Sequence, residues 1–91
     1  MVRRFSNDED GYRLWQRSNA SGYVLNCEPK PKASYVSLHR ANCWTISGKP
    51  SRGSTWTKAL IKVCAGTTTE LDDWTKSATG VFPSRCGACQ P

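Results

Sequence analysis

Apolar residues in this chain come in short runs, separated by polar stretches that carry glycine or proline. None is long enough to span a membrane. Tyr23-Val24-Leu25-Asn26-Cys27 is rich in β-branched and aromatic residues and predicts a strand. Pro29 and Pro31 are expected to end it. A second strand is predicted from Ser34 to His39. Its alternation would turn Tyr35, Ser37 and His39 to one face, and Val36 and Leu38 to the other. These two strands are expected to pair as a hairpin. Ala59-Leu60-Ile61-Lys62-Val63-Cys64 reads as a third strand.

Two segments carry helical signals. Ser6 and Glu9 have the spacing of a capping box, which predicts a helix from about Asn7 to Ser18. Asp8, Glu9 and Asp10 put negative charge at its N-terminus. Leu14 and Trp15 would face the core, with Tyr12 at the margin. Asn19-Ala20-Ser21-Gly22 reads as a turn. Thr67 and Glu70 form a second capping box and open a helix of about Thr68 to Ala78, with Leu71, Trp74 and Ala78 on one face. Gly80 suits the left-handed residue that closes it. The polar stretch from Ile46 to Trp56 reads as an exposed, mobile loop. The pattern is α+β: a short antiparallel sheet with two helices.

At 91 residues the chain makes one domain, residues 1–91, with a modest core. Domains this small often need a disulfide or metal staple, and five cysteines and one histidine are available. Arg3 and Arg4 are not followed by the apolar run of a secretory signal. The cysteine count is odd. Both features favour a reducing compartment, the cytoplasm, and metal over disulfides.

Cys86-Gly87-Ala88-Cys89 is a C-x2-C pair, which lets one turn aim two sulfurs at one point. His39-Arg40-Ala41-Asn42-Cys43 is an H-x3-C pair. Together they make the four-coordinate nitrogen and sulfur set that structural zinc prefers. Cys64, after an apolar strand, is the alternative to His39 as fourth ligand. Otherwise Cys64 and Cys27 read as small buried apolar residues. A redox role for the C-x2-C pair is disfavoured by its place in a tail after the last helix.

The net charge is +6, and no acid occurs between Pro29 and Thr69. Lys30, Lys32, Arg40, Lys49, Arg52, Lys58 and Lys62 fall in that block, with Arg85 after it. This points to a polyanionic partner, with these cations on phosphates. Trp56 is the aromatic candidate for a base contact. Trp44 follows a ligand position and packs beside the metal or stacks, whereas Trp15 and Trp74 are expected in the core.

The run Tyr35-Val36-Ser37-Leu38-His39-Arg40-Ala41-Asn42-Cys43, the later Ala78-Thr79-Gly80 and the ending Arg85-Cys86-Gly87-Ala88-Cys89-Gln90-Pro91 resemble the metal-binding domain of the bacterial Ada alkylation-response protein. The likeness covers about residues 35–91, leaving residues 1–30 as an N-terminal helix and strand extension. It implies a small α+β domain with a four-ligand zinc that contacts the DNA backbone. That family accepts a methyl group from DNA phosphotriesters on a zinc-bound cysteine. The position resembling that cysteine is His39, whose imidazole has no thiolate, so repair activity is not implied. Gly22-Tyr23-Val24-Leu25-Asn26 and Leu38-His39-Arg40-Ala41 also resemble a small bacterial module found alone or beside nuclease domains, which implies a nuclease as a protein partner.

The expectation is therefore a zinc-stabilised nucleic-acid-binding module, DNA foremost, without catalysis. The alternative is a protein-interaction adaptor with a purely structural zinc. Hydrolysis would need an open zinc position, and two tidy ligand pairs leave none.

Overall fold

The computed structural model describes residues 2–47 and 55–91. Its described strands are β1 (Arg3–Phe5), β2 (Tyr23–Lys32), β3 (Tyr35–Arg40), β4 (Ile61–Ala65) and β5 (Ser84–Arg85). The helices are α1 (Glu9–Ser18) and α2 (Thr68–Thr79), and Trp44–Ile46 forms a 3-10 turn. The strands form one sheet in the order β1-β4-β2-β3-β5. All neighbours are antiparallel except β3 and β5, so the sheet is mixed. The α+β expectation with two helices stands, and the parallel fifth strand is an addition to it.

Both faces of the sheet are covered. On one, Leu71 of α2 packs with Leu25, Cys27, Val36, Leu38, Ile61 and Val63, and Trp74 lies against them half-buried. On the other, Tyr12 of α1 packs with Phe5, Val24, Cys43, Ile46 and Cys64. The second cluster also borders Cys86 and Cys89, so it forms the floor under the paired cysteines.

Helix α1 departs from its prediction in two ways. Its N-cap is Asp8, whose carboxylate accepts from the Gly11 N–H at 2.9 Å, so Ser6 does not cap it. Asn7 sits at φ 52, a left-handed backbone that asparagine tolerates and that keeps the helix from starting earlier. The Glu9 carboxylate faces away from its own cap and accepts from the N–H groups of Trp56 and Thr57 and from the Thr57 hydroxyl. The inward face is also different: Tyr12 is fully buried, Trp15 is half-buried and Leu14 is 57% exposed. The buried face of α1 binds main-chain carbonyls, so its polarity hides it from a hydropathy reading.

Strand β2 runs through Pro29 and Pro31 instead of stopping before them. The register with β3 is regular from Tyr23 to Cys27, then shifts before Lys32 pairs with Tyr35. Two residues without N–H groups are tolerated where the ladder is already broken. Gly22 precedes this strand at a close approach. A Cβ there would stand 2.9 Å from the Trp15 ring and 3.0 Å from the Ala65 carbonyl.

Helix α2 is as predicted at both ends. The Thr67 hydroxyl donates to Glu70 at 2.9 Å and accepts from its N–H at 3.3 Å. Gly80 closes the helix at φ 83, donating its N–H to the Lys76 carbonyl at 2.9 Å. Its third inward position is Thr75, not Ala78, which is exposed. Thr67→Ala removes the cap, and a fall in stability of about 1 kcal/mol is expected. A lowered urea midpoint at unchanged slope would show it.

Of the predicted loop, Ile46 is buried and Trp56 half-buried, so both its ends are anchored. The intervening part, residues 48–54, lies outside the described residues, and Lys49 and Arg52 with it. No helix among the described residues is long and apolar enough to cross a membrane.

Candidate metal centre

His39 and Cys43 are brought together by the end of β3 and the turn after it. The Cys43 N–H donates to the Arg40 carbonyl at 3.0 Å, and the Ala41 N–H to the Gly22 carbonyl at 2.9 Å. These bonds fold the three residues between the ligand positions into one tight turn. The second pair arrives through β5. Ser84 and Arg85 pair with Ser37 and Leu38, and the Cys86 N–H donates to the Leu38 carbonyl at 2.9 Å. The parallel strand thus delivers Cys86 beside the end of β3, where His39 lies. The Gln90 N–H then closes a turn onto the Cys86 carbonyl at 2.9 Å, which returns Cys89 to the same point.

The ligand atoms of His39, Cys43, Cys86 and Cys89 lie within 4.8 Å of one another. The sulfurs of Cys43 and Cys86 are 4.0 Å apart. A tetrahedron of sulfurs around zinc has edges of about 3.8 Å, from a zinc–sulfur distance of about 2.3 Å. The donor set therefore fits a four-coordinate ion with little movement. Cys64 and Cys27 are fully buried in the apolar clusters and are not members of this group. The alternative with Cys64 in place of His39 is not what the fold assembles. Burial pushes the Cys64 thiol up, and the Cys27 thiol to about 11, as expected for inert core cysteines.

Protonation also suits a ligand role. His39 is 7% exposed, and burial, then the nearby Lys62 charge, lowers its pKa to about 4. It is a neutral imidazole at pH 7, the form that binds a metal. Burial raises Cys89 to about 11, and the Cys43 and Cys86 sulfurs add to the rise against the opposing Arg40 N–H. Burial also opposes ionisation of Cys86, but the N–H groups of Cys89 and Ala88, together with the Cys89 and Cys43 thiols, outweigh it and hold that thiol below its ordinary value. Three thiolates this close repel one another unless a cation sits between them.

Several supporting residues carry no motif. The Thr45 hydroxyl stands 3.3 Å from His39 Nδ1 and 2.9 Å from Cys43 Sγ, and so orients both. The Tyr12 hydroxyl donates to the Ile46 carbonyl at 2.8 Å. Gln16 Nε2 donates to the Ala41 and Ile46 carbonyls, each at 3.1 Å. Helix α1, far from the four residues in sequence, therefore holds the loop that carries Cys43 in place. The polar spacing Tyr12–Gln16 was the available signal, one helical turn apart on one face.

The predicted phosphate contacts divide. Lys30, Lys32 and Lys58 are exposed, and Lys32 pairs with Glu28 at 3.3 Å. Arg85 is exposed and pairs with Asp72 at 3.0 Å. Arg40 is exposed, but its guanidinium donates to the carbonyls of Cys89 at 2.9 Å and Gln90 at 3.1 Å, pinning the second ligand turn. Lys62 is a correction. It is 2% exposed, with its ammonium on Asn26 Oδ1 at 2.7 Å and the Trp56 carbonyl at 2.6 Å, so it does not reach a phosphate. The two tryptophans differ in exposure. Trp56 is half-buried with Lys62 over its ring, whereas Trp44 is 76% exposed.

The fold and the cluster define a small α+β domain whose sheet edge carries one histidine and three cysteines in metal-binding proximity. Compared with protein-family models, curated proteins and solved structures, the chain matches none.

Proposed function

We propose that this domain is a zinc-stabilised module that binds nucleic acid, DNA foremost, and catalyses no reaction on it. Zinc is the metal that three thiolates and an imidazole in tetrahedral spacing favour, and two complete pairs leave no position for a reactive water. The observation that carries the binding reading is Trp44. It directly follows the ligand position Cys43 and is the most exposed large apolar side chain among the described residues. Tryptophan is highly buried on average, and an indole held out by a metal-braced turn is suited to stacking on a base. The excess of Lys and Arg, net +6, supplies attraction to phosphates.

The test is fluorescence anisotropy with labelled single-stranded and duplex DNA at increasing salt. Binding to at least one form is expected, weakening steeply as salt rises. Trp44→Ala should reduce affinity by about tenfold, the worth of one stacked base, and leave the melting temperature unchanged. Absence of binding to both DNA forms at low salt would sink the reading in favour of an adaptor. Zinc content by elemental analysis, expected at one ion per chain, checks the metal.

A further inference from the structure

A cleft of about 390 Å³ lies between α1 and the first ligand loop, lined by Arg13, Gln16, Arg17, Ala41, Asn42 and Ser47. Among the described residues no carboxylate lines it. Arg13 and Arg17 are one turn apart on α1, so two guanidiniums meet one groove. Arg13 feels the Glu9 carboxylate one turn earlier on the same helix, which offsets part of the repulsion between the two arginines. Arg17 sits in the last turn of α1, where a cation is favoured without any ligand, so the pointer to an anion is its place in a cleft with Asn42 and not its charge alone. Gln16 is fixed by its bonds to Ala41 and Ile46, which makes the groove wall rigid.

A second cleft, of about 230 Å³, is lined by Ala20, Ser21, Gly22, Arg40 and Asn42. The two share Asn42 as a common wall. Cationic and amide groups therefore continue from Arg13 and Arg17 past Asn42 to Arg40. A lone phosphate needs only one such concavity. A continuous line of them suits a chain of phosphates.

We propose that this line is the track for a single nucleic-acid strand, with Arg17 and Asn42 on its phosphodiesters. The proposal rests on the nucleic-acid reading above and adds where the strand lies. It differs from the basic-block expectation, because neither Arg13 nor Arg17 belongs to that block.

The experiment compares three proteins by anisotropy on a labelled oligodeoxythymidine and on a duplex of equal length. They are the wild type, Arg17→Glu and Lys30→Glu. Arg17 and Lys30 are both exposed, each substitution reverses one charge, and Lys30 lies at the far end of β2 from the track. Arg17→Glu is expected to weaken single-strand binding by at least about tenfold, and Lys30→Glu by less than about threefold. Arg17→Ala should lower the salt slope by about one. Asn42→Ala should weaken binding without changing that slope. Equal losses from Arg17→Glu and Lys30→Glu, or none from Arg17→Glu, would overturn the track while the nucleic-acid reading survives. Tighter binding of duplex than of single strand by the wild type would also overturn it. No wild-type binding to either DNA would sink both.

Discussion

Chelation of the metal is expected to unfold this domain. Structural zinc in small domains contributes apparent binding free energies of about 10–16 kcal/mol at neutral pH. A domain of this size has a total stability of about 5–15 kcal/mol. Loss of the ion therefore consumes the whole margin, and it does so at a defined place. Without it, β5 has two residues in pairing, and the tail is held by the Ser84 hydroxyl on the Val36 carbonyl, the Cys86 N–H on the Leu38 carbonyl, the exposed Arg85–Asp72 pair, the Arg40 bonds and the turn at Gln90. Addition of a strong chelator should abolish the cooperative thermal transition seen by circular dichroism, and zinc should restore it. Cys89→Ala should behave like the chelated protein at every zinc concentration. Cys64→Ala should stay folded and lose about 1–2 kcal/mol, the cost of a small cavity. A melting temperature unmoved by chelator would refute the metal assignment. A Cys64→Ala chain that loses its metal would refute the ligand set. Cobalt replacement gives an independent check, because thiolate-to-cobalt absorption should fall on substitution of Cys43, Cys86 or Cys89 and persist on substitution of Cys64.

The cluster of His39, Cys43, Cys86 and Cys89 was legible in sequence because close spacing is local information. H-x3-C and C-x2-C each lie within one turn of chain, and short turns have few ways to point two donors. What joins the pairs was not legible. The parallel pairing of Ser84 and Arg85 with Ser37 and Leu38 involves two polar residues of no strand propensity and a separation of about half the chain. Helix α2 was read well because its cap residues act on neighbours three positions away. Helix α1 was read poorly for the opposite reason. Glu9 has the spacing of a capping box, yet its partners are Trp56 and Thr57, distant in the chain. Tyr12 is expected at the margin of that helix, whereas its hydroxyl is satisfied by Ile46 and its ring is fully buried. The same error of locality applies to Lys62. An acid-free run of chain predicts positive charge, but not which cations stay in water.

Lys62 is expected to make stability rise with pH just above neutrality. Its ammonium lies beneath the Tyr12 and Trp56 rings, at 6.0 and 5.8 Å from their centroids, and burial lowers its pKa from 10.5 to about 8. Glu9 from α1, Cys27 from β2 and Cys64 from its own strand oppose that shift without cancelling it. Below about pH 8 the lysine is charged in both states, and folding must bury the charge. Above it, the folded protein releases the proton while the unfolded chain keeps it up to about 10.5. The unfolded state then binds more protons, so stability increases with pH. At 1.36 kcal/mol per pH unit, the full gain would be on the order of 3 kcal/mol. Tyr12, Cys27 and Cys64 are shifted upward and so act in the reverse sense once unfolded thiols ionise near pH 9. The rise should therefore be clean only between about pH 7.5 and 9. Urea unfolding across that window should show it in the wild type and lose it in Lys62→Met. Methionine fills the same space and avoids the buried charge, although it leaves Asn26 and the Trp56 carbonyl without their donor, so its net cost at pH 7 should be small. Lys62→Ala adds an empty site beneath two aromatic rings and should cost about 3 kcal/mol or more. Equal pH slopes in wild type and Lys62→Met would show that the ammonium is solvated and that the rings over it are not a barrier to water.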